Sequence, residues 1–442
     1  MVIPHKISRM LWVPLLTLVV GIPVVSWGVH APVYDSFYSL FLFLTLFGQL
    51  TGIVGAQLFS FALLLSARLR SIEYLFGGLD KMYVIHHRVG VIAFSFLAIH
   101  PLILAFRFVE DGMSEVMMFL VPINNTLARD FGIYALLCMM GLLFVTFYGA
   151  IFSYKSLKNA HRFMGAAFFL AGLHMFLIPS SMSSDIVLKV SCLGMALIGL
   201  LAYTYRTLLG TWLVKRALYQ VKDVNVSTPG VTAITLSPVN RPISHLPGQF
   251  SMFSFPASKV VPKEEHPFTI SSAYDNGDLQ FSAKCLGDYT KLLPSLEIGA
   301  EAYIEGPFGE FSYIYGEKRQ IWVAGGIGVT PFVSMALDLL KQEESEYIID
   351  FFYSVRGEGD GAYKDVFDKL TQKYKSFTFH FMPSDTSGYI TGDLLAQEVS
   401  DITKRDIFVC GPPGMMSAIV QSLETMGVKG NRIHSEYFSL LK

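Results

Sequence analysis

The stretch VIHHRVGVIAFSFLAIHP, residues 84–101, is apolar enough to lie in a bilayer, yet it holds His86, His87 and His100. An imidazole in hydrocarbon is costly without a partner, so it marks a candidate functional site whose partner has to be found. A second apolar stretch, 161–179, holds His161 and His174. His86 and His100 are 14 residues apart, and His161 and His174 are 13 apart. At about 100° per residue, the first spacing returns to within about 40° of one helix face, with a rise of about 21 Å. The second misses that face by about 140° in a regular helix, so the span around it has to bend, twist or use different side-chain reaches.

The surrounding chain of 442 residues is 52% hydrophobic and 16% charged, against about 25% charged in an average soluble domain. The apolar excess sits in residues 11–212, whereas 217–442 is rich in charge, Gly and Pro. Spanning a bilayer takes about 20 apolar residues. Six candidates meet that length, at 11–29, 37–66, 83–106, 131–153, 161–179 and 185–209. The first lacks a small-residue cleavage site and reads as a retained helix. Lys6, Arg9, Arg68, Arg70, Lys81, Lys155, Lys158, Lys215 and Arg216 flank one side of the spans, and Arg107 and Arg129 the other. The positive-inside rule then predicts a multi-pass protein of the plasma membrane with both termini in the cytoplasm.

From about 217 the pattern changes to short alternating strands with Gly and Pro punctuation, which predicts an antiparallel barrel to about 312. Beyond it, strand and helix patterns alternate, as in a parallel nucleotide-binding sheet. The expected fold class is a multidomain membrane protein. A six-helix transmembrane bundle (1–212) precedes an antiparallel β-barrel domain (213–315) and an α/β parallel-sheet domain (316–442). A net charge of −1 with no basic cluster excludes a nucleic-acid surface. Cys138, Cys192, Cys285 and Cys410 are scattered without CxxC spacing, so neither a disulfide framework nor a zinc site is expected.

Paired across spans, His86 with His161 and His100 with His174 form two candidate bis-imidazole metal sites at different depths. Haem fits such sites, because imidazole ligates its iron axially and the porphyrin fills the space between helices. His86 is preferred to His87 on facing geometry and because His86 to Gly90 mirrors His161 to Gly165. Arg88 and Arg162, beside these histidines, are candidates for haem propionates or for ordinary snorkelling at the interface.

In the soluble half, EEHPFTISSA (264–273), FSAKCLGDYTKLL (281–293), EGPFGEF (305–311), VAGGIGVTPF (323–332) and FVCGPPGMM (408–416) follow in order. Glycines between a strand and a helix, as in VAGGIGVTP, let backbone N–H groups approach a phosphate where the helix dipole favours an anion. The same pattern also serves as a plain tight turn. In FYSVRGEG (352–359), Ser354 and Arg356 could hold a 2'-phosphate, since a guanidinium offers paired donors to phosphate oxygens. That favours NADPH over NADH.

Together these motifs resemble the ferredoxin-NADP reductase superfamily. With the six spans, residues 37–442 resemble the transmembrane NADPH oxidase and ferric reductase family, of prokaryotic type, in which FAD and NADPH domains follow a domain with two haem b. The resemblance implies that His266, Pro267, Phe268, Thr269 and Ser271 bind flavin. Lys284 stands for the basic contact to its pyrophosphate, and Gly287 and Thr290 belong to the next element. It implies a nicotinamide pyrophosphate loop at Gly325, Gly326, Gly328, Thr330 and Pro331. Cys410, Gly411 and Pro412 would lie beside the nicotinamide, with Cys410 and the aromatic Phe438, preferred to Tyr437, at the reacting centre.

It further implies transmembrane electron transfer to an outer acceptor, with oxygen giving superoxide or hydrogen peroxide as the first reading. A ferric or cupric chelate is the second, and a partner protein supplied with electrons the third. Superoxide-forming members resemble one another in an Arg near the outer start of the second span and a His one turn beyond the outer haem ligand. Here Gln49 and Leu104 stand at those places. No EF-hand loop is present, so neither calcium gating nor an obligatory regulatory subunit is expected.

Overall fold

The structure, a computed structural model, describes residues 11–122, 126–147, 159–179, 185–273 and 277–436. Phe438, Tyr437, Lys6, Arg9, Lys155 and Lys158 lie outside the described residues. The chain divides into two compact units, one of 7–76 with 81–214 and one of 215–442 with 77–80.

The first unit is helical. Among the described residues, six helices are long and apolar enough to cross a membrane. They are α1 (Trp12–His30), α2 (Leu40–Ser66), α3 (Leu79–Phe106), α4 (Leu127–Phe147), α5 (Met164–Leu177, with a preceding turn from Asn159) and α6 (Ile186–Tyr203). Polar caps set two starts. The Ser39 hydroxyl accepts from Leu42 N–H before α2, and Asp185 Oδ1 accepts from Val187 and Leu188 N–H before α6. Close packing in such bundles depends on small residues at the crossings. A Cβ on Gly199 would come within 2.9 Å of the Ser60 carbonyl oxygen, and one on Gly55 within 2.9 Å of Leu97. These two glycines let α6 and α3 pack tightly on α2.

The fifth span is interrupted. Residues 159–162 are helical, Phe163 is a turn residue whose N–H reaches only Ala160 O, and α5 resumes at Met164. One such turn changes the winding by only about 20°, so most of the mismatch of about 140° is left to the reach of the side chains.

The second unit holds two sheets. The first is antiparallel and curled, in the order β4-β3-β6-β1-β2-β5, with β1 Ala217–Thr228, β2 Val231–Pro238, β3 Phe250–Ser254, β4 His266–Thr269, β5 Leu279–Lys284 and β6 Glu301–Phe308. A bridge between Ile270 and Phe281 joins the two edges and closes the curl. Phe253, Phe255, Ile270, Phe281 and Ile304 fill its interior.

The second sheet is parallel, in the order β11-β10-β7-β8-β9, with β7 Arg319–Gly325, β8 Ile348–Val355, β9 Phe377–Pro383, β10 Asp406–Cys410 and β11 Ile433–Glu436. Helices α7 (Thr330–Lys341), α8 (Lys364–Lys373), α9 (Gly392–Glu398) and α10 (Pro413–Thr425) connect the strands. The central strands are largely apolar because both faces are covered, by one cluster around Trp322, Phe332 and Phe351 and another around Ile321, Val409 and Leu395. The order reverses between β7 and β10. Ligands of open α/β sheets bind outside the carboxyl ends of strands at such a switch point.

Candidate functional site

Two groups of residues stand out, one in each unit. In the membrane unit, His86 and His161 face each other with ring centroids 6.1 Å apart, and His100 and His174 with centroids 6.5 Å apart. An imidazole nitrogen binds a first-row metal at about 2 Å, so two opposed bonds plus roughly 1 Å of ring on each side place the centroids about 6 Å apart. Both pairs have that separation. The Nδ1 atoms of three rings are engaged by backbone carbonyls: His86 with Ala62 at 2.9 Å, His100 with Gly48 at 2.7 Å and His174 with Ala128 at 2.8 Å. A carbonyl partner fixes Nδ1 as the donor and leaves the Nε2 lone pair for a ligand, as the outer partners of metal-binding histidines do. His87 is exposed and makes no ring contact with His161. The donor set and spacing fit a metal macrocycle held between two imidazoles.

The glycines near these rings differ. A Cβ on Gly52 would lie 2.8 Å from the His100 ring, and one on Gly132 2.9 Å from His174 Nδ1. Gly90 opens onto free space, whereas a Cβ on Gly165 would strike the Tyr203 ring at 2.3 Å. The His86–Gly90 and His161–Gly165 repeats are therefore alike in sequence and unlike in surroundings. Phe59 and Phe168, stacked at 4.8 Å and 16°, lie by register on α2 and α5 between the two imidazole levels. Sequence reasoning missed this pair, because an aromatic in an apolar helix carries no signal of its own.

In the second unit, the loop after β7 and the loop after β10 meet at the switch point. A Cβ on Gly328 would come within 2.4 Å of Cys410 O, and one on Gly325 within 2.7 Å of Pro412 and Met415. A Cβ on Gly411 would lie 3.0 Å from Gly325 N. Gly328 lets backbone pack on backbone, and Gly325 and Gly411 also make room for the Met415 side chain. Gly326 is different: its φ is +53° and nothing would touch its Cβ. It lines a groove together with Ile327, Lys284, Arg356, Tyr353 and Asp360. Thr330 and Pro331 begin α7, where the Thr330 hydroxyl donates to Ile327 O. Ser354 is buried in β8, in register with Gly325.

Strand β4 is an edge strand that pairs with β3 through Phe253–His266, Met252–Pro267, Ser251–Phe268 and Phe250–Thr269. The His266 ring lies 3.7 Å from that of Tyr289, and Phe268 stacks on Phe281 at 4.6 Å. Burial, and then the nearby Glu264, push the Tyr289 phenol upward, so it stays protonated. Thr269 Oγ1, Ser251 Oγ and Tyr289 OH are buried with no hydrogen-bond partner among the described residues. By register Ser251 shares the face of Phe268 and Thr269 the opposite one, so these unpaired atoms do not form one site.

Ser271 donates to Gln280 O, and its backbone N–H bonds the same oxygen. The Thr290 hydroxyl accepts from Leu286 and Gly287 N–H and donates to Gly287 O, so it already closes its own turn. Cys410 is fully buried, which raises its thiol pKa and keeps it neutral. Tyr363 was not foreseen. It sits at φ +61° before α8, and its hydroxyl hydrogen-bonds that of Ser282 in the antiparallel sheet. Left-handed backbone at a non-glycine residue is not legible in sequence.

Residues 51–178 match the family described as ferric reductase like transmembrane component, and residues 322–421 match the oxidoreductase NAD-binding domain. Among curated proteins, one component of the Na(+)-translocating NADH-quinone reductase is similar. The protein of Psychrobacter cryohalolentis is 31% identical over 156 residues, 33% of this chain and 38% of that protein. That of Yersinia pestis is 30% identical over the same shares. The chain thus spans less than two fifths of the length of these relatives. Among solved structures, the flavohem-like FAD/NAD binding domain of nitric oxide dioxygenase from Vibrio cholerae aligns with a TM-score of 0.43 and 22% identity, over 50% of this chain and 97% of that one. The apolar spans and the parallel sheet lie where these two domains match. The matches fit a fusion in which a ferric reductase like transmembrane component is followed by an oxidoreductase NAD-binding domain.

Proposed function

We propose that this chain carries electrons from cytoplasmic NADPH across the bilayer to an acceptor on the outer side, with FAD and two haem b as resident groups. The observation that carries the proposal is the pair of facing imidazole couples at 6.1 and 6.5 Å on the same two spans. His86 and His161 would hold the inner haem, and His100 and His174 the outer one. When bound, the flavin supplies conversion of a hydride into single electrons and the haems supply one-electron carriage.

The residues bind, orient and exclude. Gly326 N–H and the start of α7 favour the nucleotide pyrophosphate, and Arg356 and Lys284 bring positive charge to the same groove. Thr269 Oγ1, buried without a partner among the described residues, offers an unfilled hydrogen bond to the flavin. The buried Cys410 gives a neutral surface at the end of β10. The proposed domain limits are 1–212, 213–315 and 316–442. Arg68, Arg70, Lys81, Lys215 and Arg216 support the cytoplasmic assignment of both termini.

Oxygen, giving superoxide or hydrogen peroxide, is the acceptor that the family resemblance supports. Specific observations favour a ferric or cupric chelate as a second reading. Gln49 accepts a hydrogen bond from Trp27 Nε1 at 3.1 Å, and Leu104 presses on Gly48, where a Cβ would meet it at 2.5 Å. These side chains stand where superoxide-forming members carry an Arg and a His, and they fill that region with packing.

The test is anaerobic reduction of purified, flavin-supplied protein by NADPH, followed through the haem bands, with oxygen or a ferric chelate then admitted. Fast reoxidation by oxygen with dismutase-sensitive superoxide supports the oxidase. Slow reoxidation by oxygen and fast reoxidation by chelate supports the reductase. Haem bands that NADPH never reduces would refute the electron path.

A further inference from the structure

The end of the membrane unit that carries His100 and His174 holds an arrangement with no role in the path above. Arg107 follows the last residue of α3, and Arg129 lies in the first turn of α4. Their guanidinium carbons stand 5.3 and 4.9 Å from the centre of one ring, that of Phe119. Arg107 also lies 4.7 Å from Phe108 and 5.5 Å from Phe41. The Nε atoms of both arginines are buried and have no hydrogen-bond partner among the described residues. Burial, and then repulsion from Arg129, lower the pKa of Arg107.

Two like charges clamped around one phenyl ring with buried donors unpaired is an unfavourable state for the resting protein. Cation–π contact offsets part of that cost and leaves the planar donor edges available. Asp130 Oδ1 is also buried without a hydrogen-bond partner among the described residues. Glu110, Asp111 and Glu115 are exposed in the same loop, where water and salt screen them. Attraction here is therefore short-ranged. The place is close to the imidazole pair, since Ala128, beside Arg129, gives its carbonyl to His174.

We propose that Arg107 and Arg129 form a carboxylate-binding mouth beside the His100–His174 pair, suited to a polycarboxylate metal chelate. A carboxylate matches the guanidinium fork in charge and in geometry, and the phenyl rings exclude water from the contact. The proposal rests on the reading of this end as the outer, acceptor-facing end. The propionates of a haem held by His100 and His174 offer the same chemistry, and the experiment separates the two sources.

Gallium citrate, a redox-inert counterpart of the ferric chelate, is the probe. Its binding to the full, cofactor-loaded chain is measured by calorimetry, beside haem content and midpoint potentials. Arg107→Gln and Arg129→Gln are each expected to weaken binding about ten-fold or more. Arg107→Lys is expected to keep part of it, and Glu115→Gln all of it. Weakened gallium citrate binding with unchanged haem potentials upholds the mouth with a chelate as its occupant. A shifted potential or loss of the haem at His100 and His174 upholds it with propionates as the occupant. Gallium citrate that binds wild type and both Gln variants equally, or binds none of them, with haem unchanged in all, overturns the proposal. A wild type that binds gallium citrate through the arginines yet passes no electrons to ferric citrate keeps the mouth and removes the chelate reading of the acceptor.

Discussion

The His86–His161 and His100–His174 pairs share two spans and nearly one ring separation, yet the protein grips them differently. At the second pair both Nδ1 atoms are held by carbonyls of neighbouring helices, and a glycine, Gly52 or Gly132, lies against each ring. Neither imidazole can turn there without moving α2 or α4. At the first pair His86 is held by Ala62 O, while Gly90, one turn away, faces open space. Ring orientation is thus imposed by helix packing at one level, and room is left beside the ring at the other. Matched ligands in sequence do not imply matched surroundings.

The largest expected effect follows from removing a ligand of the tightly held pair. His100→Ala or His174→Ala is expected to lower electron delivery to an impermeant outer acceptor by about 100-fold or more. NADPH-dependent reduction of the flavin is expected to survive, as stopped-flow absorbance would show. Retained delivery in proteoliposomes would break the assignment. At the other level, His86→Ala is expected to remove one haem per chain while His87→Ala keeps both, read from haem content. The reverse result would move the ligand to the neighbouring residue.

Smaller changes sharpen the contrast in grip. Gly52→Ala and Gly132→Ala push on imidazole rings and are expected to lower retention of the haem at that level about ten-fold. Gly90→Ala meets no protein atom within 4 Å and is expected to leave the unfolding temperature of the haem-free chain unchanged, so a fall equal to that of the other two would erase the difference. Arg356→Ala acts on the supply common to both pairs. It is expected to raise KM for NADPH about ten-fold while changing KM for NADH little, since the contact proposed for it is to a 2'-phosphate. Smallest is Tyr363→Phe, which removes one hydroxyl bond to Ser282 at a cost of about 1 kcal/mol, visible as a lower unfolding temperature.

Much of the architecture was legible in the sequence because each signal had one physical source. Apolar length set the spans, and the structure places them within a few residues of expectation over the described residues. Alternation followed by strand–helix repeats gave the two sheets in their order. The histidine pairs face each other as depth and facing geometry predict, whereas the turn at Phe163 in the fifth span has no mark in the sequence. Glycine roles were only half legible. VAGGIGVTP reads as a phosphate cradle, whereas Gly325 and Gly328 are demanded by the loop that follows Cys410, and Gly326 alone faces the groove. Contacts made across long sequence separations, such as Tyr363 with Ser282 or Arg107 and Arg129 around Phe119, leave no local pattern to read.

Two haems in series on four histidines is the claim on which the rest depends. The most direct measurement is a haem-to-polypeptide ratio on purified wild type and His100→Ala, combined with a redox titration of the haem absorbance. Two haems per wild-type chain, titrating as two one-electron steps, and one per variant chain is the expected result. A single haem in the wild type, or two retained in the variant, would contradict it.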